Sequence, residues 1–189
     1  MSELKITFKL GEKDVSYLRK VLRQAGTAAK GKSEEEIMRA GARQAREARD
    51  AGPPQYVLDR VEKLETILAT VEDKDWNPPA VVRKKILTAL AYFSDPVDLI
   101  PDRVPGLGFL DDAIMIELMA QDLKHEIKFY HQFRTFRESA EQRPWTAAGG
   151  TRLEKRLKEK RKELRAKIEA AKAKDAERGA TGGGSFFGW

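Results

Sequence analysis

Five aspartates fall within the nineteen residues SDPVDLIPDRVPGLGFLDD that run from Ser94 to Asp112: Asp95, Asp98, Asp102, Asp111 and Asp112. Carboxylates gathered at a tight corner are the oxygen ligands that Mg²⁺, Mn²⁺ or Ca²⁺ take, and a water bound to such an ion can hydrolyse a phosphate ester. Asp98, Asp102, Asp111 and Asp112 are the four that would hold a divalent cation here. The same residues also answer a plainer need. Asp95 reads as a helix N-cap with Pro96 at the first helical position, and Asp98 sits at the third. Asp111 and Asp112 open a second helix, so each carboxylate meets free N–H groups at a positive helix end. Capping is the leading reading, and the spacing does not follow the twelve-residue Ca²⁺ loop.

Other chemistry is thinly represented. The chain has no cysteine, which excludes thiol nucleophiles, zinc–thiolate sites and disulfides. Its two histidines, His125 and His131, belong to no H-E-x-x-H arrangement. His125 follows Asp122 by three positions, close enough to share a helix face. No G-x-S-x-G elbow, P-loop or G-x-G-x-x-G turn occurs, so no nucleophile–base pair or phosphate cradle is evident. The balance is against an enzyme.

The elements around the corner are helical by pattern. Val57, Val61, Leu64, Leu68 and Val71 repeat at 4-3-4-3 spacing after Pro53-Pro54. Asn77 reads as the cap of a helix with Pro78 in its first turn, carrying Val82, Ile86, Leu90 and Phe93 to the corner. Beyond Asp112 one long helix is expected, with Ile116, Met119, Leu123, Ile127, Tyr130, Phe133 and Phe136 along one side. Upstream, Val15, Leu18, Leu22 and Ala25 mark another helix, residues 26–32 a flexible joint, and Ser33 with Glu36 a capping box opening a helix to about Ala51. Ile6, Phe8 and Leu10 alternate with polar residues, the period of a short strand.

Charge divides the chain. Its net +6 conceals −6 over residues 94–126 and +6 over 151–178. The basic stretch reads as one solvated, protruding helix whose stripe of Leu153, Leu157, Leu164 and Ile168 is broken by charges. Arg152, Lys155, Arg156, Lys158, Lys160, Arg161, Lys162 and Arg165 would face nucleic acid or an anionic membrane if it binds anions. Interleaved glutamates and the lack of aromatics among them count against nucleic acid. A glycine linker then leads to Phe186, Phe187 and Trp189, the layout of a peptide that docks into a partner's groove or folds back on its own chain.

The stretch LTALAYFSDPVDLIPDRVPGLGFLDDAIMIELM resembles the signature of the YkvA family, a bacterial domain of unknown function, over roughly residues 80–125. The matching positions are Pro96, Asp98, Leu99, Ile100, Pro101, Asp102, Pro105, Gly108, Asp111 and Asp112. The resemblance implies an α-helical hairpin and brings no reaction or ligand. Some members of that family look like membrane proteins with longer, more apolar flanking helices, whereas Arg83, Lys84, Lys85, Asp122 and Lys124 flank the corner here.

The expectation is an all-α protein, a small helical bundle around the acidic corner. It divides into a 1–52 N-terminal region, a 53–143 helical core, a 144–178 basic helix and a 179–189 linker with an aromatic terminus. No apolar run reaches the roughly 18 residues of a membrane span, and MSELKITFKL has no apolar signal core. That places the protein in the cytoplasm or peripheral to the inner membrane. The leading function is a non-enzymatic adaptor or scaffold for protein partners. The alternatives are a metal-dependent hydrolase using the aspartates and a nucleic-acid-associated protein using the basic helix.

Overall fold

The structure is a computed structural model that describes residues 9–94, 109–142 and 150–181. Among the described residues it is all-α: α1 (Glu12–Ala28), α2 (Glu34–Asp50), α3 (Gln55–Glu72), α4 (Ala80–Leu90), a 3₁₀ turn (Ala91–Ser94), α5 (Leu110–Asp122), α6 (Lys124–Glu141) and α7 (Gly150–Thr181). The strand expected at Ile6–Leu10 falls mostly outside those residues, and Lys9 and Leu10 adopt no regular structure.

The chain forms two compact units, each built from two separate stretches. One takes Met1–Glu65 and Ala80–Met119, the other Thr66–Pro79 and Ala120–Trp189, so the division falls inside α3 and α5.

In the first unit the helices close on small residues. The capping box that opens α2 is present: Ser33 N–H donates to Glu36 Oε2 (2.6 Å) and Glu36 N–H donates to Ser33 Oγ (3.2 Å). The face that α2 buries carries Ala40, Gly41, Ala45 and Ala48 beside Ile37 and Met38. Both α1 and α2 pack against α4 and its 3₁₀ extension, whose Ile86, Leu90, Ala91, Tyr92 and Phe93 are buried. The joint expected from residue 26 begins later, because α1 continues to Ala28. Gly26 lies within it, where a Cβ would sit 2.3 Å from Thr88 Cγ2 and 3.0 Å from Thr88 O. Glycine serves here as a point of close approach between helices rather than as a hinge.

The second unit closes on large residues. Trp76, Phe129, Tyr130, Phe133, Leu157, Leu164 and Ile168 form its core, with α7 packed along α6. The basic helix therefore does not protrude as a solvated rod. Its broken leucine stripe is enough to bury one face because the flanking cations have partners inside the unit.

Two local expectations fail for identifiable reasons. Asn77 does not cap α4. It takes a left-handed conformation (φ 40°), which asparagine tolerates, and α4 starts only at Ala80. The long helix after Asp112 is two helices, broken at Leu123, whose φ of −109° and ψ of 11° lie outside helical geometry.

Candidate functional site

Of the four corner aspartates, Asp98 and Asp102 lie outside the described residues, as do Phe186, Phe187 and Trp189. Asp111 and Asp112 stand in the first turn of α5, both buried at 6% exposure. Gln44 Nε2 of α2 donates to Asp112 Oδ2. The chain enters this turn through Phe109, a buried aromatic held at φ 64°, whose carbonyl accepts from Ala113 N–H at 2.9 Å. A left-handed aromatic costs of order 1–2 kcal/mol. Further along α5, Glu117 accepts from Arg60 Nε (3.2 Å) and Lys63 Nζ (2.5 Å) of α3. Among the described residues no group of three or more His, Asp or Glu side chains is arranged to hold a metal ion.

The same unit carries an open groove of about 300 Å³. Ile37, Leu87, Ala80 and Ala91 give it apolar walls, and Gly26 and Thr88 mark the edge where α1 meets α4. Its rim is charged. Arg83 Nε donates to Glu34 Oε2 at 3.0 Å, and that pairing raises the already basic guanidinium further. Lys84, also on the rim, is exposed. On the α1 side Gly26 lines it without a side chain.

In the second unit the polar groups sit inside. Trp76, 0% exposed, donates its indole N–H to Glu126 Oε1 at 2.8 Å, and Arg165 Nη1 of α7 donates to the same oxygen at 2.5 Å. The Arg165 guanidinium lies 3.9 Å from the centroid of the Trp76 ring, a cation–π contact that adds to the ion pair. Tyr130 and Phe133 enclose the indole at centroid distances of 5.7 and 5.2 Å.

A second cluster holds the loop that carries Trp76. Asp73 Oδ1 accepts the backbone N–H groups of Asp75 and Trp76, both at 3.0 Å, while Oδ2 takes the Tyr130 hydroxyl (3.1 Å) and Arg137 Nη2 (2.9 Å). Burial alone would raise the Asp73 carboxyl, but the bonds from Arg137, the Trp76 amide and Tyr130 hold it below its ordinary range. The Tyr130 phenol is pushed up to about 12, by burial first and by the Asp73 charge second.

The eight cations expected to bind anions part into two sets. Arg165 is committed to Glu126, Arg161 Nη1 donates to the Asp75 carbonyl (2.7 Å), and Arg156 and Lys160 lie over the Phe136 ring at 5.5 and 5.4 Å. Arg152, Lys155, Lys158 and Lys162 are exposed. His125 finds a partner across the unit, its Nε2 lying 2.9 Å from Asp175 Oδ2 of α7, where Lys124 also pairs. Hydrogen bonds from Lys124 and His125 hold the Asp175 carboxyl low.

Sequence reasoning passed over Trp76, Glu126, Asp73 and Arg137. The available signal was the tryptophan itself, set among charges in EDKDWNPP between two helices, a place where such a side chain is kept only if something covers it.

The arrangement is thus, among the described residues, all-α, with two buried carboxylates in the first turn of α5 and a helix-lined groove in one unit, and an aromatic–ion-pair centre in the other. Residues 82–118 match the family described as "Protein of unknown function (DUF1232)", and that segment takes in α4 from Val82 onward and α5 as far as Leu118. A Bacillus subtilis (strain 168) protein called "Uncharacterized membrane protein YkvA" is 34% identical over 67 residues, covering 32% of this chain and 63% of the relative. The chain therefore spans less than two thirds of that relative's length. The YkvA-family resemblance read from the motif holds over this segment. No solved structure matches the chain.

Proposed function

We propose that the protein is a non-enzymatic binding module, an adaptor that receives a segment of a protein partner at a membrane surface. The groove of the first unit is the observation that carries this reading. Its apolar walls suit a partner's aliphatic or aromatic side chain, and the exposed Lys84 on its rim suits a neighbouring carboxylate. The α4 residues that line the groove, Ala80 excepted, fall within the matched family segment. Location at a membrane is supported by the name of the Bacillus relative. No helix among the described residues is long and apolar enough to cross one, which favours a surface contact.

Leu87 is the residue to change, being on the groove wall and only partly buried. With Leu87→Glu, the partner that co-purifies with the wild-type chain is lost while the unfolding temperature stays within a few degrees. Equal recovery of that partner by both proteins sinks the reading. The corner aspartates supply the control for the alternative chemistry. Stabilisation by Mg²⁺, Mn²⁺ or Ca²⁺ that disappears in Asp111→Asn would turn the assignment to a metal-dependent hydrolase, since a ligand of the native state must raise its apparent stability.

A further inference from the structure

We infer that the outward face of α7 is the part of the molecule that lies on an anionic lipid surface, with Arg152, Lys155, Lys158 and Lys162 as its contact row. The inference rests on the membrane-surface half of the proposed function and is independent of the groove. At about 100° per residue these four side chains fall within an arc of roughly 120°, nearly opposite the buried Leu157, Leu164 and Ile168. All four are exposed, and none has a partner among the described residues.

The helix has in effect sorted its cations. Arg156, Lys160, Arg161 and Arg165 flank the buried face and hold α7 in place through Phe136, the Asp75 carbonyl and Glu126. The outward row is consequently presented on a fixed support instead of a free rod, so little order is lost when it meets a surface. From Arg152 to Lys162 it extends about 15 Å along the axis. Along the axis consecutive members are about 4.5 to 6 Å apart, less than the roughly 8 Å screening length at physiological salt, so they act as one patch.

Lipid is favoured over nucleic acid by what accompanies the row. Glu159 is exposed within the same arc, and the row carries no aromatic for base stacking. Mobile headgroups can gather beneath the cations and leave the glutamate's neighbourhood, whereas phosphates at fixed spacing on a duplex cannot. Each Lys or Arg near an anionic surface strengthens binding about fivefold, so four give several hundredfold over a neutral bilayer, a reversible attachment.

The full chain is tested by co-sedimentation with vesicles of phosphatidylcholine alone and of phosphatidylcholine and phosphatidylserine in equal parts. Binding to the mixed vesicles only is expected, weakening steeply with added salt. The triple variant Lys155→Glu, Lys158→Glu, Lys162→Glu should lose binding by more than tenfold, and the milder triple change to Gln should lose less. Lys13→Glu, Lys20→Glu, Lys30→Glu makes the same charge change at exposed positions of the first unit and should bind as wild type. Helicity and thermal unfolding, unchanged in the α7 variants, show that the inward row still holds. If the wild type ignores mixed vesicles, both the row and the membrane reading fall. Equal binding by wild type and the α7 variants overturns the row alone. Tighter, row-dependent binding to a duplex oligonucleotide than to vesicles reassigns the row to nucleic acid and overturns the lipid inference.

Discussion

The two units solve the problem of packing charged helices in opposite ways. The first brings its helices together on glycine and alanine, keeps its buried carboxylates at the start of α5, and leaves a groove that Gly26 lines without a side chain. The second fills its interior with aromatics and puts an ion pair among them, Glu126 with Arg165 against Trp76. At the start of α5, Asp112 meets the positive helix end and the neutral Gln44 amide, so loss of its charge is tolerable. A carboxylate met by a guanidinium depends on one residue 39 positions away. The contrast separates the tasks: one unit carries an open groove to offer a partner, while the other is built around an aromatic core and holds the basic helix.

Breaking the ion pair should produce the largest effect. Arg165→Ala leaves Glu126 buried and charged without its counter-ion and removes the cation over Trp76, with an expected loss of about 3 kcal/mol in urea unfolding. A loss under about 1 kcal/mol would mean that the second unit is held by apolar contact alone. Next comes the close approach in the first unit. Gly26→Ala forces a methyl against Thr88 and should cost about 2 kcal/mol. Adding Thr88→Ala removes the nearest atom and should restore part of it; an unchanged midpoint in Gly26→Ala would show that α1 and α4 have slack.

Smaller effects sharpen the comparison. Tyr130→Phe removes the hydroxyl bond to Asp73 at an expected cost of about 1 kcal/mol. The phenol's folded value of about 12 lies above its ordinary 10.0, so its contribution is complete below pH 10 and disappears as pH rises toward 12. The wild type should lose more stability across that interval than Tyr130→Phe, and one tyrosine should ionise late in a phenolate absorbance titration. Asp73 has the opposite sign: its depressed carboxyl stabilises above its unfolded value of 3.8 and ceases to as pH falls through the lower folded value. Smallest of all, Asp112→Asn keeps an acceptor for Gln44 and forfeits only charge at the α5 start, about 0.5 kcal/mol.

Local signals in the sequence carried as far as their elements. The stripe Val57, Val61, Leu64, Leu68 and Val71 is buried throughout, and the Ser33–Glu36 box opens α2 as its residues dictate. Asp111 and Asp112 do open a helix. What pattern alone could not deliver were the long-range pairings. The stripe of α7 reads as broken because Arg161 and Arg165 interrupt it, and only Asp75 and Glu126, remote in sequence, turn those interruptions into contacts. Trp76 was illegible for the same reason, since every group that covers it except its own loop is more than fifty positions away or at that distance. Apolar periodicity also ran smoothly through Leu123, and nothing in it announces the break there.

The 89 positions between Trp76 and Arg165 also set a clock. A ribosome adding roughly 5–20 residues per second needs about 4–18 s to make that stretch. For that interval the indole waits for its cation, and Glu126, made 50 positions after Trp76, waits through the last 39 positions of it. The second unit can therefore complete itself only once α7 has been made. Until then its aromatic interior is a surface that a chaperone, or another nascent copy, can reach first.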